Sequence, residues 1–443
     1  MENGNSVLSA FLWQIIKRTK DQTMTEIIET RESCQDEQDS SLSMERALQV
    51  ILQQVSAVGG WRSVTLREAL GGVLAEDVIS PLDVPSHRNS AMDGYALAAT
   101  DLPDQGIAEL QVIGTAFAGH PFAEPIRPGT CVRIMTGAKM PDGADTVVMQ
   151  EQAEQTGDRV RIDSRHRAGQ NVRQAGEDIG QGSVVLAAGV SISAAQLGLL
   201  ASVGIAEVRI CRRVRVAFFS SGDEIRSIGE PLAEGQIYDS NRYTLYGMLT
   251  ELGAEVMDLG VIPDREESIG EALELAAQEA DLILTSGGVS VGEADYIVAA
   301  LRRLGTIHFS KVAIKPGRPL TFGHIGNTPF FGLPGNPVAV MVTFLNFVAP
   351  ALRRMMGQPE QPLPGFRVPC LTALRKSPGR TEIQRGIMLQ NEEGQWAVRT
   401  TGRQGSGVLS SMSAGDCFIL LPEAAGNVAV GDPVQVLPFR LIT

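Results

Sequence analysis

The chain has 443 residues, 43 % of them apolar, 47 glycines and a formal charge of −13. At roughly 150 residues per domain the length suggests about three domains with sizeable cores, and the composition excludes a disordered chain. The acidic balance excludes a nucleic-acid groove, so any basic site is local and shaped for a small anion.

Taken in order, residues 1–42 read as a disordered leader. Val7 to Ile16 is too short to span a bilayer, and Lys17, Arg18 and Lys20 follow the apolar run where a signal peptide would have them precede it. Asp21 to Ser43 is polar and acidic, which makes Met24 or Met44 alternative starts to Met1. From Met44 the series Ala47, Leu48, Ile51, Leu52, Val55 keeps helical spacing, with Ser43 as N-cap. Thr65 and Glu68 predict a second short helix closed by Gly71 and Gly72, and VLAEDVISP predicts a strand. The segment 87–179 is rich in Gly and Pro with short strand-like runs, and so predicts an inserted β domain. Its loops offer Asp93 in an Asp-Gly turn, Thr136 at a strand end, and Glu177 and Asp178 in AGEDI. Ser193 and Gln196 form an S-x-x-Q box opening a helix, and IAEVRI is a strand that returns to the first domain. Residues 43–86 and 180–210 together form this linker domain.

From Val214 to Arg354 strands and helices alternate at βαβ spacing, within an α/β domain spanning 211–357. The stretch LILTSGGVSVGEADY, Leu282 to Tyr296, is its centre. A short apolar run meets Ser286, Gly287 and Gly288 at its carboxyl end, where a doubly wound sheet binds ligands. Glycines let backbone N–H groups face an anion, and Glu293 and Asp295 beside that anion make chemical sense around a divalent cation. An ordinary αβ turn with solvated acids is the alternative. Glu224 and Asp264 also follow strand ends, so three acids with Asp295 fall on one rim. KVAIKPGRP places Lys311 and Lys315 four apart on a predicted strand, hence on one face, with Arg318 past a Pro-Gly turn. LPGNP puts Asn336 as N-cap and Pro337 at the first helical position, after Pro334. Residues 358–443 read as a small β domain with Arg385 and Ser406 as its polar candidates. The cysteines, Cys34, Cys131, Cys211, Cys370 and Cys417, form no CxxC; a reducing cytoplasm is the expected location. No Ser, Cys or His constellation marks a covalent nucleophile.

NSAMDGYAL, MTGAKMPDGADTVV, AGEDI, SSGDE, YDSNR, TSGGVSVGEADY, KVAIKPGRP and FGLPGNPVAV occur in this order. Together they resemble the MoeA family of molybdopterin molybdenumtransferases, similar to the E domain of gephyrin, from about Met44 to the C-terminus. The resemblance implies a multidomain α/β plus β fold. Its subunit would be elongated, with a doubly wound molybdopterin-binding α/β domain, a β-rich inserted domain and a small C-terminal β-barrel-like domain. It implies an antiparallel homodimer with the site between the α/β domain of one chain and the β segment of the other. The implied reaction joins molybdate to adenylylated molybdopterin with Mg²⁺-dependent release of AMP, the last step of molybdenum cofactor synthesis. By the same resemblance, Glu224, Asp264 and Asp295 arrange Mg²⁺, and Asp93, Thr136 and Asp178 belong to the catalytic cleft. Ser286, Gly287, Gly288, Ser290, Lys311, Lys315, Arg318, Pro334, Asn336, Pro337, Arg385 and Ser406 hold substrate. Implied partners are a molybdopterin adenylyltransferase, molybdoenzyme apoproteins and cofactor chaperones, with no nucleic acid and no membrane. Two alternatives stay open. A molybdopterin adenylyltransferase shares the fold of 214–354, though the flanking β segments and KPGRP count against it. A gephyrin-like binding scaffold is disfavoured by the missing long linker and fused second domain.

Overall fold

The computed structural model describes residues 41–288, 296–360 and 365–439. Asp295, Ser290, Glu293 and the first 40 residues of the leader lie outside the described residues. The described chain begins before Ser43: Leu42 N donates to Lys311 O and Leu42 O accepts from Ala313 N, so Leu42 belongs to the packed protein and not to a leader. The amphipathic helix follows at Met44–Gln54, with the Ser43 hydroxyl accepting from Arg46 N and Met44, Ala47 and Ile51 buried.

The linker unit is built on an antiparallel pair, Trp61–Thr65 with Glu207–Cys211, closed over Val64, Leu74, Leu200, Val208 and Ile210. Two expectations fail here. Leu66 to Gly71 is a hydrogen-bonded turn and no helix; Thr65 and Glu68 do pair, through Glu68 Oε2 accepting from Thr65 N and Oγ1. The glycines follow too soon for a second helical turn. VLAEDVISP is a strand only at Val78–Ile79, with Val73 and Leu74 making isolated bridges to Ser191 and Ile210. The Ser193–Gln196 capping box forms as read, opening Ala194–Ser202.

The inserted segment forms a six-stranded sheet in which Gly94–Leu97 lies between Thr146–Met149 and Thr130–Ile134. The C-terminal segment supplies five strands of a second six-stranded sheet, Trp396–Thr400 among them on the long strand Thr381–Gln390, and Ile314–Lys315 is the sixth.

Between them lies the α/β domain. Its strands are β1 Arg215–Ser221, β2 Glu255–Ile262, β3 Leu282–Ser286, β4 Gly305–Lys311, β5 Pro319–Ile325 and β6 Thr328–Leu333, in spatial order β2-β1-β3-β6-β5-β4. The first four in that order run parallel, while β5 and β4 run antiparallel to their neighbours. The helices are α1 Ser240–Glu251, α2 Glu266–Glu279, α3 Tyr296–Leu304 and a continuous helix α4, Pro337–Met355, with a π turn at Phe344–Val348. The strand pattern dictates which helix covers which face. Val216, Phe218, Leu282 and Leu284 pack with Leu245 and Leu249 of α1, whereas Ala217, Phe219 and Ile283 pack with Ile269 and Leu273 of α2 and Leu301 of α3. Both faces are therefore buried, as a parallel sheet requires. Helix α4 is apolar enough to cross a bilayer, but 78 % of its apolar window is buried inside the protein, so that apolarity serves the core.

The chain runs from β1 outward to β2 and then back across β1 to β3. This reversal puts the topological switch point, and hence the crevice for a ligand, between the carboxyl ends of β1 and β3.

Candidate functional site

At the switch point both strands exchange apolar for hydroxyl residues in register: Phe219 and Ser220 lie beside Thr285 and Ser286. Strand alternation sends Ser220 and Ser286 to the α1 face and Ser221 and Thr285 to the other. Gly287 and Gly288 follow with φ of +86° and +65°, where any other residue would be strained. A Cβ on Gly287 would stand 2.5 Å from Ser221 O, and one on Gly288 2.6 Å from Ile297 Cδ1. The turn is thus pressed against β1 and α3, and only glycine fits. Gly287 N donates to Leu333 O, which ties β3 to β6 just before Pro334, Gly335 and Asn336.

The acids on this rim differ. Asp264, two residues past β2, accepts from Ser221 Oγ on Oδ1 at 3.0 Å and keeps Oδ2 for another partner. Glu224 is exposed and folds back over Gly222, where a Cβ would meet its Oε2 at 2.6 Å. Among the described residues no three His, Cys, Asp or Glu side chains gather into a metal cluster. Two hard carboxylates are nonetheless the share a protein usually gives Mg²⁺, the rest being water and phosphate oxygen.

Two residues of YDSNR, a motif that entered above only through the family resemblance, belong to the rim. Asp239 caps α1 by accepting from Arg242 N, and Asn241 Nδ2 bridges Ser286 Oγ and Gly335 O. Asp239 Oδ2, Asn241 Oδ1, Ser220 Oγ and Thr285 Oγ1 are buried without a partner among the described residues. Four such atoms around one strand junction mark a ligand site more strongly than any one motif does. The available signal was a pair of polar residues, Asp239 and Asn241, at a helix start.

A second site lies where the α/β domain meets the C-terminal sheet. A cleft of about 310 Å³ is lined by Lys315, Arg318, Pro334, Asn336, Arg380, Glu382, Arg385 and Ser406, among others. Six sequence-predicted residues are thus brought together, with an excess of positive charge. Lys311 and Lys315 do not share a strand, contrary to expectation. Lys311 ends β4 opposite Pro319, whereas Ile314–Lys315 pairs in parallel with Thr381 and Glu382 in the C-terminal sheet. Between them Val312 bridges Leu42 and the pairing passes from β5 to the C-terminal sheet, so the chain changes sheets between the lysines. Lys315 Nζ reaches Glu382 Oε2 at 3.3 Å.

Arg385 is 1 % exposed, its Nε donating to Ser411 Oγ and its outer nitrogen to Arg403 O and Gly405 O. It holds the loop carrying Ser406 as well as lining the cleft. Burial draws its pKa below the ordinary arginine value, against the opposing charge of Glu382. Asn336 occupies the N-cap position but its side chain makes no capping bond; Ser406 O accepts from Val338 N instead, because the C-terminal loop is packed against the helix start. Pro337 stands at the first position of α4 as read.

In the inserted domain, Asp93 Oδ1 accepts from both the N–H and the hydroxyl of Thr136 at 2.7 Å. The Thr136 N–H, then its hydroxyl, hold the Asp93 carboxyl below its usual range, so it stays ionised at neutral pH. Ser90 shapes this turn by donating to Met92 O. Asp178 is exposed, in a loop whose backbone pairs with Val84. Among the described residues no hydrogen bond joins Asp93, Thr136 or Asp178 to the rim of the α/β domain within the one chain.

These features define a doubly wound protein with a glycine turn and unpaired polar atoms at its switch point and a second, cationic cleft beside the C-terminal sheet. Family models place it more closely. A model described as MoeA N-terminal region (domain I and II) matches residues 42–204. A probable molybdopterin binding domain matches 218–354, and a MoeA C-terminal region (domain IV) matches 367–439. The chain is 44 % identical over 401 residues to the molybdopterin molybdenumtransferase of Haemophilus influenzae, covering 90 % of this chain and 99 % of that one. It is 33 % identical to gephyrin of Dictyostelium discoideum, across 89 % of this chain and 62 % of that protein. The structure of the molybdopterin biosynthesis moeA protein from Pyrococcus horikoshii OT3 superposes with a TM-score of 0.78 at 30 % identity, over 90 % of this chain and 100 % of that one. The chain belongs to the MoeA family.

Proposed function

We propose that this chain is a molybdopterin molybdenumtransferase, which inserts molybdate into adenylylated molybdopterin with release of AMP. The observation that carries the reading is the pairing of two unlike anion sites. The glycine turn at the switch point suits a phosphate, which needs close backbone approach. The cleft with Lys315, Arg318 and Arg380 suits a small oxyanion, which needs charge from several directions. Family membership supports both the transferase class and the substrates.

In this reading Glu224 and Asp264, with Asp295, hold Mg²⁺, which when bound offsets charge on the phosphoanhydride. Ser286 and the Gly287–Gly288 turn orient the phosphates, while Lys315 and Arg318 hold molybdate and Lys311 holds a phosphate or the anionic end of the pterin. Asp93, set by Thr136, and Asp178 serve a neighbouring subunit of a homodimer. Support for a dimer comes from the exposed apolar side chains Ile228, Leu232, Ile237, Tyr238, Tyr243 and Tyr246, which surround the approach to α1 and its first turns. A molybdopterin adenylyltransferase would supply the substrate, and apoenzymes or chaperones would accept the product.

The test is a turnover assay with purified chain, adenylylated molybdopterin, molybdate and Mg²⁺, following AMP and the activity of a reconstituted apoenzyme. Release of AMP that requires both molybdate and Mg²⁺ is expected. Formation of adenylylated molybdopterin from ATP, with no AMP release from the adenylylated substrate, would replace this reading with the adenylyltransferase one.

A further inference from the structure

Asn241 is 7 % exposed, and both hydrogens of its Nδ2 are engaged, one with Ser286 Oγ at 2.8 Å and one with Gly335 O at 2.7 Å. A carbonyl can only accept, so Gly335 settles which end of the amide is nitrogen. Among the described residues Oδ1 is left buried without a partner. The consequence falls on Ser286, which is 1 % exposed and stands directly before the glycine turn. Its oxygen already receives a hydrogen from Asn241, so its own hydrogen must point elsewhere, and no protein acceptor takes it among the described residues. Ser220, its partner in register, also leaves Oγ unbonded, so the neighbouring strand does not use that hydrogen either. A buried donor held without an acceptor is costly unless a ligand or water completes it.

We propose that Asn241 is a positioning residue that makes Ser286 a fixed hydroxyl donor to a phosphate group seated in the Gly287–Gly288 turn. This rests on the reading of that turn as the phosphate site and adds the residue that sets its polarity. A free serine hydroxyl rotates and can equally accept; with an amide hydrogen fixed on one of its two lone pairs, its own hydrogen is turned away from Asn241 and biased to donate, which suits an acceptor-only phosphate oxygen. The same amide pins β3 to the loop after β6, so the donor and the turn are placed together.

The experiment measures AMP binding by calorimetry in the full-length protein, its Asn241→Ala and Ser286→Ala variants, the double variant, and Asn241→Asp. Each single alanine change should weaken AMP about tenfold or more, the scale of one charge-assisted hydrogen bond. The double variant should bind within about twofold of Ser286→Ala, because Asn241 acts through that hydroxyl. Asn241→Asp should bind more weakly than Asn241→Ala, since a carboxylate draws the Ser286 proton away from the phosphate and adds like charge. A side chain that merely filled space would give the opposite order, the isosteric aspartate being the milder change. Losses that multiply in the double variant, or AMP affinity unchanged in Asn241→Ala while Ser286→Ala loses it, would overturn this proposal and leave the phosphate reading intact. Wild-type protein that fails to bind AMP, or Ser286→Ala that binds as wild type, would remove the phosphate reading and this one with it. Should Asn241→Ala not fold, Asn241→Asp with and without Ser286→Ala gives the same decision.

Discussion

The rim at the switch point and the cleft beside the C-terminal sheet both suit anions, but they are made differently. The rim is built from short contiguous motifs: a strand, two glycines and the first turn of a helix. Its glycine turn brings backbone closest to the ligand, with the Ser286 hydroxyl beside it. The cleft is assembled from three distant stretches, at Lys315–Arg318, Pro334–Asn336 and Arg385–Ser406, and its side chains do the binding. A site made of backbone tolerates no added atom, whereas a site made of long side chains loses affinity in steps.

The largest expected effect therefore lies at the rim. Gly287→Ala forces a Cβ to within 2.5 Å of Ser221 O at φ +86°, so the β1 and β3 tips must separate. The change should destabilise the protein by about 2–4 kcal/mol in denaturant unfolding and abolish AMP release. A loss under about 0.5 kcal/mol would show that the turn relaxes freely and is not a rigid cradle.

Arg385→Met comes next and separates scaffold from ligand contact in the cleft. Removing the guanidinium strands Ser411 Oγ, Arg403 O and Gly405 O, and should cost about 2–3 kcal/mol, with Arg385→Lys recovering little because one ammonium cannot span those acceptors. Unchanged stability with weakened molybdate binding would instead make Arg385 chiefly a ligand residue, and the two sites more alike than argued here.

The smallest effect on stability is expected at Lys315, whose side chain is 56 % exposed in its pair with Glu382. Lys315→Met should move stability by less than about 0.5 kcal/mol. The molybdate concentration for half-maximal turnover should rise about ten- to a hundredfold, and excess molybdate should restore the rate. Lys311→Met should resist that rescue, since Lys311 ends a different strand in a different sheet. Equal rescue of both variants would join the lysines into one subsite.

How much could be read beforehand follows the same division. Ser43, Ser193 and Asp239 cap helices as their side chains dictate, and Gly287 and Gly288 take the positive φ that glycine permits. The failures sit where a neighbour overrode a local preference. KVAIK has strand spacing, but Leu42 and the Thr381–Gln390 strand pull it into two pairings. Asn336 is a good capping residue by type, yet the Ser406 carbonyl serves the helix N-terminus. Asn241 was visible only as one letter of the YDSNR motif, because nothing in those five residues says that its amide lies between Ser286 and Gly335.

By itself the sequence determined the helix caps at Ser43 and Ser193, the parallel strands of the α/β domain and the glycine turn at its centre. Each depends on groups within a few residues of one another, where steric limits on φ and ψ and the reach of one side chain decide the outcome. Only the tertiary structure decided that Lys311 and Lys315 part company, that Arg385 is buried in a loop it holds together, and that Asn241 spends both amide hydrogens on Ser286 and Gly335. Those outcomes depend on which distant carbonyl or strand arrives at hydrogen-bond distance, and burial makes a satisfied pairing prevail over a local preference worth less than a kilocalorie or two.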